Sequence, residues 1–366
     1  MKEGGLILIV SGGTGGHVFP AVALNTELRG RGWETSIITD ARGRKFTKVE
    51  DGTQIYQLTS ARPGRTIFSG LRRSLFMGFS FIKAIILIKK LNPTLVIGFG
   101  GSTTIPSIFA ATLLGHPTII HEQNSILGQA NKLLAKYVDL IAVAYPNVLG
   151  VQPRHQSKIV MTGNPVRAEI RAVTHKKETN SKQILVLGGS QGAKIFGQVI
   201  PKAIKLLPKD ISNKMVIFQQ CRDEDIENVK AEYAKTDVIS NLSTFFSNIP
   251  ELMATSCLII SRAGASTIAE LNVIGRPAIL VPYPSAMDDH QTANALNLTR
   301  CGAGWMIPQK EFGPIGLAER LTACLTSSNI LQSASISSAK IGQPNATQKL
   351  AETIENLCGS PTRRTL

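Results

Sequence analysis

Apolar runs of four or five residues recur along the chain and alternate with longer stretches of helical period. Runs this short read as strands buried on both faces. In the first half they fall at Leu6–Val10, Ser36–Thr39, Leu95–Gly98, Thr118–His121 and Leu140–Val143. In the second half they fall at Ile184–Leu187, Met215–Gln219, Leu258–Ser261 and Ala278–Val281. Strand and helix in alternation predict parallel sheets covered by helices on both faces. The rhythm restarts near Gln183, after the polar stretch Thr174–Lys182. Two α/β domains are therefore expected, residues 1–164 and 165–342, with the boundary near Asn164–Pro165. A last segment, 343–366, holds a predicted helix, Ala346–Leu357, and a basic end with Arg363 and Arg364. It has the option of packing back on the N-terminal domain.

The stretch Leu71–Lys90 carries two apolar stripes at helical spacing. Leu71, Leu75, Phe79, Ile82 and Ile86 form one, and Met77, Phe81, Ile85 and Ile88 the other. A helix on a sheet needs one stripe only. With Arg72, Lys83 and Lys90 beside it, the spare stripe suits the surface of an anionic membrane. The competing reading is a helix wedged between two protein layers, and Gly78 works against a helix here.

Two glycine-rich turns carry the candidate chemistry. Ser11-Gly-Gly-Thr-Gly-Gly-His17 follows the first strand, and Gly188-Gly-Ser-Gln-Gly-Ala193 follows Ile184–Leu187. A strand, a glycine turn and a helix start make an anion site, because glycine admits close approach and helix-start N–H groups point at the ligand. Two such turns suggest two domains facing one cleft that holds a phosphate-bearing ligand. The first turn does not match GxGxxG, since position 18 is Val. Asp40, after the second strand, lies where a ribose-binding acid of a nicotinamide enzyme is expected. The alternative is a diphosphate or sugar site with His17 as general base.

Further polar groups cluster at strand ends. His121-Glu-Gln-Asn124 suits sugar hydroxyls, or is a solvated loop. Gly163-Asn-Pro-Val-Arg167 places an arginine at the domain boundary, for a phosphate, a carbonyl-bearing base or an inter-domain ion pair. Ser261-Arg-Ala-Gly-Ala-Ser-Thr-Ile-Ala-Glu270 is a third glycine-containing turn into a helix, where Ser266 and Thr267 can bind a diphosphate and Glu270 a ribose diol. Asp288-Asp-His-Gln291 gathers polar groups near the same sheet edge without the spacing of a metal site. Asp223-Glu-Asp225 matches a metal-binding DxD, but acids also favour the first turn of a helix.

Bulk properties narrow the field. The 366 residues are 43% hydrophobic and 18% charged, with a formal net charge of +15. Such a charge attracts nucleic acid, anionic membrane or phosphorylated substrates alike. Aromatics are 5%, and no basic stretch is interleaved with stacking rings, which argues against single-stranded nucleic acid. The five cysteines, Cys221, Cys257, Cys301, Cys324 and Cys358, form no CxxC pair and suit free thiols in a reducing cytoplasm. The N-terminus lacks the pattern of a signal peptide, and no apolar run approaches a membrane span. A soluble or peripheral protein is expected.

Taken together, Gly12–Pro20, His121–Asn124, Gly163–Arg167, Gly188–Ala193, Arg262–Glu270 and Asp288–Ala295 closely resemble, in order, the motifs of the MurG family of bacterial transferases. The resemblance implies a GT-B fold of two Rossmann-like domains around an inter-domain cleft. It implies transfer of N-acetylglucosamine from UDP-N-acetylglucosamine to the 4-hydroxyl of the muramyl sugar of lipid I, giving lipid II for peptidoglycan. Carried over, Ser190, Ser266 and Thr267 contact the donor diphosphate, with Ala265 in the same turn. Glu270 takes the ribose hydroxyls, the Phe246 backbone pairs with uracil, Arg167 lies beside the nucleotide, and Gln291 with Asn124 holds the sugar. Thr14, Gly15, Gly16 and His17 meet the acceptor diphosphate or the reacting hydroxyl. The patch with Arg72, Leu75, Phe79, Ile82 and Lys83 resembles the family's membrane-docking surface, on the cytoplasmic face of the inner membrane. No cofactor, essential metal or nucleic-acid partner is implied; cell-wall and division proteins are implied as partners.

The expected reaction is an inverting displacement, with His17 as base and helix N-termini, Arg167 or Arg262 stabilising the leaving diphosphate. Two positions depart from the family pattern. Ser102 stands after Gly100 and Gly101 where Tyr is usual, and Phe246 stands where Ile is common. The rival readings are a UDP-sugar epimerase of related fold and a non-catalytic nucleotide- or lipid-binding protein.

Overall fold

The computed structural model describes residues 4–47, 52–58, 67–173, 182–189 and 192–359, with the backbone alone over 67–76. The chain divides into two compact units, Met1–Arg167 with Pro344–Leu366, and Ala168–Gln343. In the first unit the order is β1 (Gly4–Val10), α1 (Gly15–Gly30), β2 (Trp33–Thr39), β3 (Gln54–Gln57), α2 (Ile67–Leu91), β4 (Leu95–Gly98), α3 (Thr104–Leu113), β5 (Thr118–Glu122), α4 (Gln129–Leu134), β6 (Leu140–Val143) and β7 (Ile159–Met161). The second holds α5 (Ala168–Ala172), β8 (Gln183–Leu187), α6 (Lys194–Lys205), α7 (Lys209–Ser212), β9 (Val216–Gln220), α8 (Ile226–Tyr233), β10 (Ile239–Ser243), α9 (Ile249–Thr255), β11 (Leu258–Ser261), α10 (Ala265–Ile274), β12 (Ala278–Leu280), α11 (His290–Arg300), β13 (Gly304–Met306), α12 (Pro314–Thr326) and α13 (Ser328–Ile341). The last helix, α14 (Ala346–Gly359), belongs to the first unit.

Each unit carries one parallel sheet. The first runs β3-β2-β1-β4-β5-β6-β7 and the second β10-β9-β8-β11-β12-β13. In both, the strand order reverses beside the unit's first strand, where β1 lies against β4 and β8 against β11. Ligands of open α/β sheets bind outside the carboxyl ends of the strands at such a reversal. Both glycine turns of the sequence fall there, after β1 and after β8.

Alternation along the strands divides the first core between two faces. Leu8, Val10, Val96 and Ile120 pack with Ala84 and Ile88 of α2 and Ile108 of α3. Ile7, Ile9, Ile97 and Ile119 pack with Leu24 and Leu28 of α1 and with Leu350, Ala351 and Ile354 of α14. The second sheet buries Ile184, Val186, Ile217, Leu258 and Ile260 against Phe196 and Ile200 of α6 and Leu317 and Leu321 of α12. The four strands that the apolar pattern does not predict, β3, β7, β10 and β13, are the four sheet edges. An edge strand lacks a neighbour on one side and is short or polar, so it carries no apolar run; Gln-Ile-Tyr-Gln and Ile-Ser-Asn-Leu-Ser are examples.

Helix α2 spans the predicted amphipathic stretch and continues through Gly78. Its two stripes have different surroundings. Ile88 is buried, and Phe81 and Ile85 pack on the first core. Phe79, Ile82 and Ile86 are 53%, 56% and 63% exposed, so over this part the helix is not wedged between two layers. Leu71, Arg72 and Leu75 lie where side chains are not described. Helix α14 is held by burial and by charge. Arg31, just after α1, bonds Glu355 at 2.9 Å and Glu27 at 3.0 Å, and the Trp33 indole N–H donates to Glu355 at 3.2 Å. The cysteines are free, and burial pushes the thiols of Cys221, Cys257, Cys324 and Cys358 up to about 11.

Because Ile354 is fully buried in the face shared with α1, Ile354→Ala is expected to cost about 2–5 kcal/mol of stability through lost transfer energy and the cavity left behind. Urea denaturation measures this; a cost under about 1 kcal/mol would contradict the packing described.

Candidate functional site

In the first unit the turn after β1 and the turn after β4 press against each other. A Cβ on Gly12 would stand 2.3 Å from the Thr103 hydroxyl, and one on Gly101 would stand 2.9 Å from the Gly12 carbonyl. Only glycine fits at both positions, and Gly101 also needs its φ of +86°. Gly100, at φ +92°, leaves room for the His17 ring, whose Nε2 would lie 3.2 Å from a Cβ there. His17 sits in the first turn of α1, with Nδ1 3.0 Å from the Gly12 carbonyl oxygen. A carbonyl only accepts, so Nδ1 carries the proton and Nε2, beside Gly100, is the basic nitrogen. That is the tautomer a general base requires. Thr14 and Gly16 are exposed at the helix start, and Gly15 is buried under Phe19. Arg167 stacks on the Phe19 ring with its guanidinium carbon 5.2 Å from the centroid, so the structure brings Arg167 to the same helix start.

Asp40 is not a ribose ligand. It is buried, and one oxygen accepts from the backbone N–H groups of Gly13 at 3.2 Å, Arg42 at 3.0 Å and Gly43 at 2.8 Å. It braces the glycine turn from behind and takes up the Gly13 N–H, which lies just before the helix start. The signal was present in Asp40-Ala-Arg-Gly43, an acid followed by turn residues.

The His121–Asn124 motif is also mostly scaffold rather than a set of sugar ligands. His121, Glu122 and Gln123 are buried. His121 Nε2 donates to the Gly163 carbonyl at 2.9 Å, and Gln123 Nε2 donates to the Phe99 carbonyl at 3.1 Å. Glu122 accepts at one oxygen from the Asn124 N–H and side-chain amide, each at 3.0 Å. Its other oxygen accepts from the Gly128 N–H and the Asn131 amide, each at 2.8 Å. Asn124 alone of the four is partly exposed, and Glu122 fixes its orientation.

In the second unit, α10 starts at Ala265 after Gly264, with no acid in its first turn. Ser266 and Thr267 are partly exposed there, and Glu270 is buried further along the helix. Asn294 of α11 donates to the Ala263 carbonyl at 3.2 Å, and the Gln291 side-chain oxygen accepts from the Tyr283 N–H at 2.9 Å. These bonds tie the starts of α10 and α11 to the segment after β12. Arg262 is engaged within its own unit. It donates to the carbonyls of Val281 at 3.1 Å and Pro282 at 3.3 Å and to Gln309 at 2.7 Å, and it stacks on Phe196 and Tyr283. Phe246 lies after β10, edge-on to Phe218 at 6.0 Å. Gly192 packs against the Arg222 stem, 2.6 Å from where a Cβ would be. Ser190 lies outside the described residues. Asp223–Asp225 form a short turn leading into α8, with Arg222 bonded to Glu224 and Asp225.

The structure thus gathers two sets at the two sheet reversals. Thr14, Gly15, Gly16, His17 and Arg167 belong to the first unit, with Asn124 two strands away at the end of β5. Ala265, Ser266, Thr267, Glu270 and Gln291 belong to the second, with Phe246 beyond β9.

Burial drives the His121 pKa down from 6.5 to about 4, only partly opposed by its bond to Gly163. Between those values the unfolded chain takes up a proton that the folded chain refuses. Stability is therefore complete above pH 6.5 and falls as pH drops, by ~1.4 kcal/mol per pH unit from this group. His121→Asn should remove that slope, and urea denaturation of both proteins across the window reads the difference. A difference independent of pH would refute it.

Comparison with known proteins adds the family. The glycosyltransferase family 28 N-terminal domain matches residues 7–143, and the family's C-terminal domain matches residues 183–354. A UDP-N-acetylglucosamine–N-acetylmuramyl-(pentapeptide) pyrophosphoryl-undecaprenol N-acetylglucosamine transferase of Paramagnetospirillum magneticum is 43% identical over 96% of both chains. The protein of the same name from Rhodospirillum centenum is 41% identical, over 96% of this chain and 94% of its own. Among solved structures, MurG of Acinetobacter baumannii superposes with a TM-score of 0.77 at 30% identity, over 96% of this chain and 99% of that one. A UDP-GlcNAc 2-epimerase of Neisseria meningitidis superposes with a TM-score of 0.66 at 15% identity, a likeness of fold alone.

Proposed function

The chain belongs to glycosyltransferase family 28, and from that premise we propose how its two sheet reversals divide the work of a MurG-type transferase. The protein is an N-acetylglucosaminyltransferase of peptidoglycan synthesis. It moves N-acetylglucosamine from UDP-N-acetylglucosamine to the undecaprenyl-diphosphate-linked muramyl pentapeptide. The observation that carries this reading is identity of about two residues in five over nearly the whole length of named transferases. The epimerase reading rests on fold alone and is not favoured.

In our reading the second unit takes the donor. The N-terminus of α10 meets the diphosphate through backbone N–H groups and the hydroxyls of Ser266 and Thr267. Glu270 takes the ribose, Gln291 the sugar and the backbone at Phe246 the uracil. The first unit takes the acceptor at Thr14–Gly16. The muramyl 4-hydroxyl attacks the anomeric carbon, the bond to UDP breaks, and His17 Nε2 receives the hydroxyl proton. The leaving diphosphate is stabilised by the α10 dipole, a route that works without a metal. Arg167, held over Phe19, adds positive charge at the start of α1.

The decisive assay is UDP release from UDP-N-acetylglucosamine with and without lipid I in detergent. Release should require the acceptor and yield a β-linked disaccharide lipid; turnover without acceptor would favour the epimerase or a hydrolase. His17→Ala is expected to lower kcat 10²–10⁴-fold, the range of general-base catalysis, with donor affinity nearly unchanged. Wild-type turnover in that variant would remove His17 as the base.

No helix among the described residues is long and apolar enough to cross a membrane. The exposed stripe of α2 supports docking on the membrane surface instead. Lys83 lies over the Phe79 ring at 4.5 Å, and Lys89 and Lys90 are exposed at the helix end. Apolar side chains among cations suit an anionic interface. Phe79→Glu with Ile82→Glu should abolish co-sedimentation with phosphatidylglycerol vesicles while leaving turnover of a short-chain, water-soluble acceptor intact. Retained vesicle binding would place the docking surface elsewhere.

A further inference from the structure

We propose that Arg42 is a recognition residue for the acceptor's diphosphate and that Asp40 positions it; this rests on the reading of Thr14–Gly16 as the acceptor-diphosphate site. The geometry places a cation beside that turn. Arg42 Nη2 would stand 3.4 Å from a Cβ on Gly13, so the guanidinium lies over the glycine that opens the turn. Asp40 holds it there, accepting from Arg42 Nη2 at 2.9 Å and Nε at 3.3 Å on one oxygen. The other oxygen accepts from the Gly13 N–H at 3.2 Å, so one carboxylate fixes both the arginine and the turn. Gly43 completes the brace, because a Cβ there would strike the Thr39 hydroxyl at 2.1 Å.

The exposures of the pair differ sharply. The Asp40 side chain is 2% exposed and that of Arg42 is 60% exposed. A guanidinium has five N–H donors in a rigid fork. Asp40 engages the Nε and Nη2 groups, and Nη1 lies on another side of the fork. An arginine fixed in this way pairs well with phosphate oxygens, since little freedom is left to lose. The charge balance leads to the same assignment. A buried carboxylate alone behind an anion site would repel the ligand, and Arg42 cancels that charge where it is generated.

The test is steady-state kinetics of the full-length protein with a short-chain polyprenyl-diphosphate muramyl pentapeptide. Arg42→Ala is expected to raise the acceptor KM about tenfold or more, the worth of a charge-assisted contact, with donor KM within about twofold. Arg42→Lys should fall between the two, keeping the charge but not the fork. With an acceptor bearing a single phosphate, the Arg42→Ala effect should shrink. Asp40→Asn should raise the acceptor KM by itself but add little to Arg42→Ala, since it acts through the arginine. An unchanged acceptor KM, or donor and acceptor KM rising together, overturns the role of Arg42. Additive effects of the two substitutions overturn the positioning role of Asp40. Gly16→Ala separates the two kinds of failure, because its methyl would meet only the Thr14 hydroxyl at 3.7 Å. If Gly16→Ala raises the acceptor KM and Arg42→Ala does not, the turn binds the acceptor without Arg42. If neither does, the turn is not the acceptor site, and the present proposal falls with that reading.

Discussion

Two parallel strands side by side set the constraint on which the first site depends. β1 and β4 are neighbours in register, Val10 opposite Gly98, about 4.8 Å apart as any hydrogen-bonded pair is. The turns that leave them must share that narrow width. They do so because Gly12 and Gly101 have no side chains and Gly100 makes room for an imidazole. The start of α1 and the direction of His17 follow from this contact. A Cβ at Gly12 or Gly101 would push one turn off the other, and one at Gly100 would crowd the His17 ring. The glycines are therefore needed for contact between protein segments before any ligand is considered, and the open face at Gly16 is what remains for one.

Most of the chemically suggestive side chains in this protein hold others in place. His121, Glu122, Gln123 and Asn131 form a buried network through which a single residue, Asn124, reaches the surface in a set orientation. Asp40 stands in the same relation to Arg42, and Arg262 to the segment after β12. The physical reason is common to all three. A polar group taken out of water loses free energy unless each donor and acceptor is paired, and a fully paired network in a low-dielectric interior is rigid. Such rigidity suits a transferase, which must orient an attacking hydroxyl as well as bind it.

The legible part of the sequence was the part decided by burial. Strands enclosed on both faces, such as Leu95–Gly98, Leu140–Val143 and Leu258–Ser261, coincide with the observed elements to the residue. Gln54–Gln57 and Ile239–Ser243 were illegible because an edge strand needs no apolar run. The first glycine turn was legible as the passage from a buried strand into a helix, since its position after β1 is a local property. Which polar residues face outward was not. Asp40 and His121 have the residue type and strand-end position expected of ligands; the turn residues after Asp40 hint at its inward role, but for His121 only the arrangement of neighbouring segments shows it. Arg42 was missed for the complementary reason: nothing in the chain order indicates that a loop after β2 folds over the turn after β1.

Net charge illustrates the same point at the scale of the whole chain. A formal +15 suggests a broad cationic surface. Many of these cations have local duties instead. Arg31 fastens α14 to α1. Lys158 donates to the carbonyls of Ala135, Lys136 and Val138, where orphan acceptors at the end of α4 need donors. Arg222 compensates the acids at the entry to α8. Pairing with carboxylates is already counted in the net charge, and a cation bonded to carbonyls keeps its charge, so what limits the field at a distance is salt, which screens it beyond about 8 Å. Three cations stand at places with a distinct local surface: Arg42 over the first glycine turn, Arg167 beside it, and Lys83 among the exposed apolar residues of α2. The first two neighbour a turn suited to a diphosphate and the third an apolar surface. A lipid carrying a diphosphate head presents both features, so in the reading proposed above one substrate accounts for both kinds of surface on the first unit.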